Sequence, residues 1–412
     1  MTKSLFKDTI SHNTPYFNKI KPTDEVLWVC FSLWLIVDTI TGYALNSNLN
    51  TPLSQVFKTF ILLLLISRLI NNYKYLLYTL LITTLTGILF LSSSFHNGDC
   101  VASLLTLSKL ICTIYIYFYL ILCIKIYRSE YITKSYKIIK IAFLIVSINI
   151  GLGIFGMGFY TYPSEEVGRK GFFFAGNELG GVFAAIIPFM LYVIYLNFSR
   201  LNYLISSSFV ILLSIILGTK SVILICLLSV IAVPYLLSDK KQRRKIIIIG
   251  MLIATPIIAY LVNILIDSEA GLIIKLMYSY DTKGFEGLIF SGRNDFLEER
   301  GSIFFNGDIF IKIFGLCNNL TVEMDLFDTL LNFGYLGLTL NVLLYVYLLF
   351  VAYRHKKNNS YIRILIFQDW LLIIMSMIAG HIVYSSMAGL YIAMINSLVY
   401  VKDKSKCLIT LS

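Results

Sequence analysis

Apolar segments long enough to cross a lipid bilayer, each of about twenty residues, recur along nearly the whole chain. Such segments form helices, because backbone groups inside lipid must find their hydrogen-bond partners within the segment. Charged types make up only 14% of the 412 residues, against roughly 25% in a soluble domain. The sequence therefore predicts an all-α, polytopic membrane protein and excludes a cytosolic enzyme, a secreted disulfide scaffold and a disordered chain.

We expect a single polytopic membrane domain, residues 1–412, with about twelve transmembrane helices. The predicted spans are 26–44, 52–70, 75–95, 100–124, 138–160, 179–197, 202–218, 221–237, 246–266, 329–352, 364–383 and 387–401. Most of the 34 Lys and Arg residues fall in the two terminal segments and in every second loop. Because basic residues concentrate on the cytoplasmic side of a membrane, both termini are expected to face the cytoplasm.

One predicted outward loop, residues 267–328, is far longer than the others. It is too polar to span a membrane and too long for a turn, and long loops in compact proteins are commonly functional or disordered. It retains many aromatic and aliphatic residues. We therefore expect this large extracytoplasmic loop to pack on the outer face of the membrane.

Two groups of basic residues lie at the predicted outer ends of helices. Arg169 and Lys170 stand just before a span that opens near Asn177, and Lys220 occupies a very short turn between two spans. An Arg can bind a phosphate group bidentately, and a Lys in so short a turn must reach the interface or meet an anion. Pairing of Arg169 or Lys170 with the glutamates of the same loop is the structural alternative.

The large loop contributes a further basic candidate, Arg293. This residue would lie at the start of a helix that runs through Phe304, and the positive end of a helix favours anions. A surface ion pair with Asp295 or Glu298 is the alternative.

Three carboxylates, those of Glu323, Asp325 and Asp328, lie where the large loop re-enters the membrane. Burial raises the pKa of a carboxylate and a nearby Arg lowers it, and a carboxylate in such a place can accept a proton from a hydroxyl. Acidic capping of the following helix is the alternative. It fits Asp325 and Asp328 better than Glu323, which lies further out.

Several charged residues lie within the apolar segments. Asp38 and Lys58 lie at similar depth in neighbouring spans, which predicts a buried ion pair. His381 lies at an outer helix end, on the same face as the other candidates. Because the seven cysteines contain no CxxC pair, we expect no metal site.

All the candidate residues lie on the predicted outer face, and cations beside carboxylates suggest a phosphate-bearing lipid substrate attacked by a hydroxyl. Five segments carry a resemblance in a fixed order over roughly residues 160–390: GNELG, GTKS, SGR, VEMDLFDTLLNFGYLG and GHIVYSS. They resemble the O-antigen polymerase and ligase family, and in particular its Wzy-type polymerases of capsular or O-antigen repeat units.

This resemblance implies glycosyl transfer from undecaprenyl pyrophosphate at the outer face of a bacterial cytoplasmic membrane, without a metal or other cofactor. It implies that Arg293, Arg169 and Lys220 bind the pyrophosphate. It also implies that Glu323 is the catalytic base, with Asp325 as the second candidate. Glu323 stands where ligases of the family often carry a His, and this difference favours a polymerase. The other candidates for substrate binding are Asn177, His381 and Lys170.

The expected partners are an undecaprenyl-pyrophosphate-linked oligosaccharide and the lipid bilayer, with flippase and chain-length regulator proteins as further candidates and no nucleic acid. Three alternatives remain: a ligase that transfers finished glycan to a lipid or wall acceptor, a flippase or other transporter of lipid-linked oligosaccharides, and a non-catalytic membrane scaffold. A flippase should line its pathway with charges at mid-membrane, whereas the candidate charges here lie at the outer face.

Overall fold

The computed structural model describes most of the predicted spans and part of the large loop. The described residues are 21–49, 51–97, 100–163, 166–239, 242–243, 280–281, 284, 293–316, 322–356, 360–378, 380–382 and 385–401. The predicted span 246–266 lies outside these residues, as does most of the large loop before Arg293.

The described part of the chain is almost entirely helical. In chain order its elements are α1 Pro22–Asn46, α2 Leu53–Ile70, α3 Tyr73–Asn97, α4 Cys100–Gly151, β1 Tyr160–Tyr162, β2 Val167–Arg169, α5 Gly176–Asn197, α6 Arg200–Leu217, α7 Lys220–Leu237, α8 Arg293–Phe305, α9 Ile309–Phe314, α10 Asp325–Arg354, α11 Ser360–Ile378 and α12 Ser386–Ser397. Two short 3₁₀ turns, Leu152–Phe155 and Leu398–Tyr400, follow α4 and α12.

Ten helical segments of the described residues are long and apolar enough to cross a membrane, which confirms the prediction of an all-α polytopic fold. Helix α4 supplies two of them, because its backbone leaves the helical region at Tyr127. The last predicted span, 387–401, corresponds to the shorter apolar helix α12 with its 3₁₀ extension. The inward orientation of both termini stays a prediction.

Two predicted spans were too long at their C-terminal ends: 364–383, where α11 ends at Ile378, and 138–160. The sequence predicts a helix over 138–160, whereas α4 ends at Gly151 and the chain then turns into a two-stranded antiparallel hairpin. The apolar run continues past the helix because the hairpin is itself rich in aromatic residues, so hydropathy alone does not mark the boundary.

Helix α12 lies at the centre of the bundle, and nearly all of its residues are buried. Small residues let neighbouring helices approach it closely. A Cβ built on Gly389 would overlap the hydroxyl of Thr113 in α4, and a Cβ on Gly181 of α5 would lie 2.8 Å from the Cβ of Ala388. Close backbone approach through small residues is a common way for helices to associate within membranes.

Two buried ion pairs fasten the N-terminal helices. Lys58 Nζ lies 2.7 Å from Asp38 Oδ1, so the ion pair predicted from the sequence is confirmed. A second pair joins Arg68 Nε to Asp24 Oδ1 at 2.9 Å, and the hydroxyl of Tyr127 donates to the other carboxylate oxygen of Asp24 at 2.7 Å. The contacts of Asp24 supply both its carboxylate oxygens with the hydrogen bonds that a charged group needs when it is removed from water.

Helix α10 is broken one-third of the way along, at Gly334. The backbone there has φ +61° and ψ −164°, a conformation that is open essentially to glycine alone. The loop after α9 fits against this break: Leu316 N–H donates to the carbonyl of Leu331 at 2.7 Å. Because the first part of α10 ends inside the protein, this contact satisfies one of the carbonyls that a helix end leaves without a partner.

Candidate active site

The basic residue predicted from the large loop and the acidic residue predicted at membrane re-entry form an ion pair. Arg293 Nη2 lies 3.0 Å from Glu323 Oε2, and Arg293 Nη1 donates to the carbonyl of Ile378 at 3.0 Å. Arg293 is the first residue of α8, as the sequence predicts. The pair with Glu323 takes the place of the surface pair with Asp295 or Glu298 that the sequence left open as an alternative.

Glu323 stands in an unusual backbone conformation. Its φ is +60°, a region that non-glycine residues adopt rarely and mostly at turns or strained positions. Gly380 packs directly on this backbone, since a Cβ at Gly380 would overlap the main-chain atoms of Glu323. The main chain at Glu323 is therefore fixed by packing, while its side chain is half exposed, at 50%.

Asp325, which follows Glu323 closely in the chain, binds the main chain of His381 and Ile382. Its side chain is fully buried. One carboxylate oxygen accepts a hydrogen bond from the backbone N–H of His381, and the other accepts from Ile382 N–H at 2.9 Å. His381 itself has φ +64°, so the carboxylate stabilises a turn that would otherwise be unfavourable.

Asp328 binds the main chain immediately before Glu323. The backbone N–H of Val322 donates to Asp328 Oδ1 at 2.5 Å, and Asp328 is buried. Val322 and Met324, which flank Glu323, are also buried. Asp325 and Asp328, one helical turn apart in α10, thus bind two stretches of main chain: Asp325 binds residues 381 and 382, and Asp328 binds Val322. Glu323 lies next to both stretches.

Arg169 projects from the hairpin that follows α4. It lies opposite Tyr160 in the strand register, and its guanidinium carbon is 3.7 Å from the centroid of the Tyr160 ring. Arg169 Nη1 also donates to the carbonyl of Gly158 at 3.0 Å. The ring and the carbonyl orient the guanidinium without neutralising its charge.

Lys170, the next residue, is buried. Its ammonium group donates to the carbonyl of Phe174 at 2.6 Å, and burial lowers the pKa of this group from its ordinary value. The contact joins the end of the hairpin to the segment that leads into α5.

The hairpin rests on the corner between α6 and α7, where Lys220 begins α7. Thr161 Oγ1 donates to the carbonyl of Leu217 at 2.7 Å, and a Cβ on Gly218 would lie 2.9 Å from Gly168 Cα. Lys220 is exposed at this corner. The predicted short turn between two spans is confirmed, and it lies beside the strand that carries Arg169.

Ile382 links this corner to the ion pair. A Cβ built on Gly180 of α5 would lie 3.7 Å from side-chain atoms of Ile382 and of Val222, which is in the first turn of α7. Asn177, in the first turn of α5, is partly buried at the same end of the bundle. The predicted site residues therefore lie on segments that pack on one another at one end of the bundle, in two groups: Arg293 with Glu323, and Arg169 with Lys220.

Sequence reasoning missed two residues that shape this site. Gly380 fixes the main chain of Glu323, and Tyr160 supports Arg169. A signal existed for the second: the segments Tyr160–Tyr162 and Val167–Arg169 flank a short Pro-containing turn, which is a strand–turn–strand pattern. Gly380 opens the segment GHIVYSS, but no local signal marks its contact with Glu323, because the two residues are distant in the sequence.

A bundle of apolar helices with charged residues gathered at one end defines a multi-pass membrane protein with a candidate site at a membrane face. The sequence profile of a family described as O-antigen ligase like membrane protein matches residues 51–277. This match spans more than half of the chain, so the chain belongs to that family. The family is a class of glycosyl-transferring membrane enzymes related to O-antigen synthesis. The comparisons with curated proteins and with solved structures give no match.

The matched range includes some of the predicted site residues and not others. Arg169, Lys170, Asn177 and Lys220 lie within it, whereas the pair of Arg293 and Glu323 lies beyond its end. The assignment of Arg293 and Glu323 therefore depends on the geometry of that pair.

Proposed function

We propose that the protein is a polymerase that joins oligosaccharide repeat units carried on undecaprenyl pyrophosphate, at the outer face of a bacterial cytoplasmic membrane. The observation that carries the proposal is the 3.0 Å contact of Arg293 with Glu323. A guanidinium is a good ligand for a diphosphate, and a partly exposed carboxylate within reach of the same substrate can serve as a base. Membership of a glycosyl-transferring family supplies the reaction class.

In the proposed reaction, a sugar hydroxyl of one repeat unit attacks the anomeric carbon of the growing chain. A new carbon–oxygen bond forms, the bond from that carbon to the pyrophosphate breaks, and the electron pair of the broken bond goes to the pyrophosphate oxygen. Glu323 accepts the hydroxyl proton and passes it to solvent or to the departing pyrophosphate. Cations that bind the pyrophosphate more tightly as its charge grows lower the barrier.

We assign the two acidic candidates different roles. Glu323 is half exposed and held by one ion pair, so its carboxylate can reach a substrate. Asp325 is fully buried and both its oxygens accept backbone N–H groups, so we assign it to positioning rather than proton transfer. His381 and its neighbours then form the wall that Asp325 holds in place.

The basic candidates divide in the same way. Arg169 uses one N–H donor on Gly158, and an arginine has five, so its remaining donors are suited to phosphate oxygens. Lys220 is exposed at the start of α7 and complements this site. We propose that Asn177 contacts the substrate, whereas Lys170, which is buried on the Phe174 carbonyl, supports the hairpin.

A ligase is the second candidate, because the matching family is described by that activity. Both enzymes use the same donor, and they differ in the acceptor. A polymerase lengthens the chain one unit at a time, whereas a ligase moves a finished glycan to a lipid or wall acceptor.

The experiment that tests the proposal uses the purified protein in nanodiscs with lipid-linked repeat units, followed by sizing of the glycans on a gel. We expect a ladder from the wild type, and single units only from Arg293→Ala and from Glu323→Gln. Glu298→Gln, which removes an exposed charge from the same helix α8, should keep the ladder. Transfer of whole chains to an added acceptor would indicate a ligase, and movement of the donor across the bilayer without lengthening would indicate a flippase.

A further inference from the structure

The two partners of the Arg293–Glu323 pair are held unequally. Arg293 has two anchors, the carbonyl of Ile378 and the carboxylate of Glu323, and its side chain is only 16% exposed. The side chain of Glu323 is 50% exposed, and Arg293 is the partner that the described residues give its carboxylate. The guanidinium therefore has a fixed place, and the carboxylate is the partner that can move.

The main chain of Glu323 is fixed in place, so only its side chain would have to move. Its positive φ is maintained by the packing of Gly380. Asp328 binds Val322, just before Glu323, and Asp325 binds Ile382, just after Gly380. Strained residues of this kind persist only where the surroundings determine them, and they cluster at functional sites. Rotation of the side chain would change where the carboxylate points without disturbing the fold.

The energetics favour an exchange of partners at Arg293. A partly exposed ion pair contributes little to stability, because water and salt compete for both charges. A diphosphate offers the guanidinium several charged oxygens and bidentate geometry. When such a group reaches Arg293, it should replace the single carboxylate oxygen of Glu323, while the bond to Ile378 is kept.

We infer that the Arg293–Glu323 pair is a latch that the donor diphosphate opens. In the absence of the donor, Arg293 holds the carboxylate. Binding of the diphosphate to Arg293 releases Glu323 to accept the proton of the incoming hydroxyl, so the base becomes available only when a leaving group is in place. This inference rests on the proposed function and adds the order of events at that site.

A binding experiment without any glycosyl transfer tests the latch. The probe is undecaprenyl pyrophosphate added to the full-length protein in nanodiscs, and the readout is its dissociation constant. Glu323→Gln removes the competitor for Arg293, so we expect up to about fivefold tighter binding, the size that a partly exposed ion pair allows. Glu323→Asn also removes the competitor, and Asn tolerates a positive φ, so it should tighten binding similarly.

The controls separate the latch from general electrostatics and from the proposed function. Glu298→Gln removes one negative charge from the same helix and should leave the affinity unchanged, whereas Arg293→Gln should weaken it. If the wild type binds the diphosphate but neither Glu323 variant binds more tightly, or Glu298→Gln tightens binding equally, the latch is wrong and the proposed donor stands. If the wild type does not bind undecaprenyl pyrophosphate at all, the proposed donor and the latch both fail.

Discussion

Replacement of Asp325 by alanine should damage both the stability and the activity of the protein. The buried carboxylate accepts hydrogen bonds from two backbone N–H groups, those of His381 and Ile382. A hydrogen bond to a charged group contributes about 1.5–3 kcal/mol, and a donor left buried without a partner adds its own penalty. We therefore expect Asp325→Ala to lower the free energy of unfolding by about 3–5 kcal/mol.

Asp325→Ala should also disturb the position of Glu323, the proposed base. Without the carboxylate, the turn at His381 loses the contact that holds its positive φ, and Gly380 no longer fixes the main chain of Glu323. Asp325→Asn keeps one acceptor oxygen but presents an NH₂ group to the second N–H. Its loss in free energy of unfolding should therefore be smaller than that of Asp325→Ala. Both variants should lose chain lengthening while they still insert in the membrane.

The assay is equilibrium unfolding in mixed detergent micelles, read from intrinsic fluorescence, together with glycan sizing. Asp308→Ala is the matched control, because Asp308 is an exposed N-cap whose carboxylate, among the described residues, accepts the Ile311 N–H alone, at 2.8 Å. This change should lower the free energy of unfolding by about 0.5–2 kcal/mol. Equal losses for Asp325→Ala and Asp308→Ala, or full activity in Asp325→Ala, would refute the reasoning.

Two further predictions concern residues that shape the site. Gly334→Ala should destabilise the protein by about 1–3 kcal/mol, since the backbone conformation there excludes a side chain and a Cβ would overlap the Ile313 carbonyl. Gly87→Ala, in open space on α3, should be neutral or stabilising, and a thermal unfolding series that ranks the two alike would contradict the assigned break. Lys170→Met should lower the unfolding temperature, because it leaves the Phe174 carbonyl without its donor, yet keep the affinity for undecaprenyl pyrophosphate; weaker binding in a stably folded variant would instead assign Lys170 to the substrate.

The helices themselves are largely local properties of the sequence. Long apolar runs mark the ten membrane-spanning segments of the described residues, and most of their ends fall within a few residues of the predicted positions. The exceptions are in α4, whose second spanning segment begins at Glu130 rather than at 138, and at the end of α11. The Asp38–Lys58 pair could also be predicted, because a charge within an apolar span needs a partner and the two residues lie at matching depth in adjacent spans. In both cases the cost of exposing polar groups to lipid leaves few alternatives.

The partners within the candidate site were not predictable in this way. The sequence offered Asp295 and Glu298, close to Arg293 along α8, as its surface partners, whereas the pair in the structure is with Glu323, 30 residues away. Asp325 was expected to be a second base or a helix cap, and the sequence did not predict that its carboxylate accepts the N–H groups of residues 381 and 382. Such contacts depend on where separate segments cross, and no local pattern encodes those crossings.

By itself, then, the sequence determined that this chain crosses the membrane many times and that its unusual charges lie near the helix ends, because hydropathy and charge act on each segment separately. Only the tertiary structure decided which carboxylate faces Arg293 and which is buried as a support. That division depends on the break at Gly334 and on close glycine contacts, which set the distances between segments that are far apart in the chain.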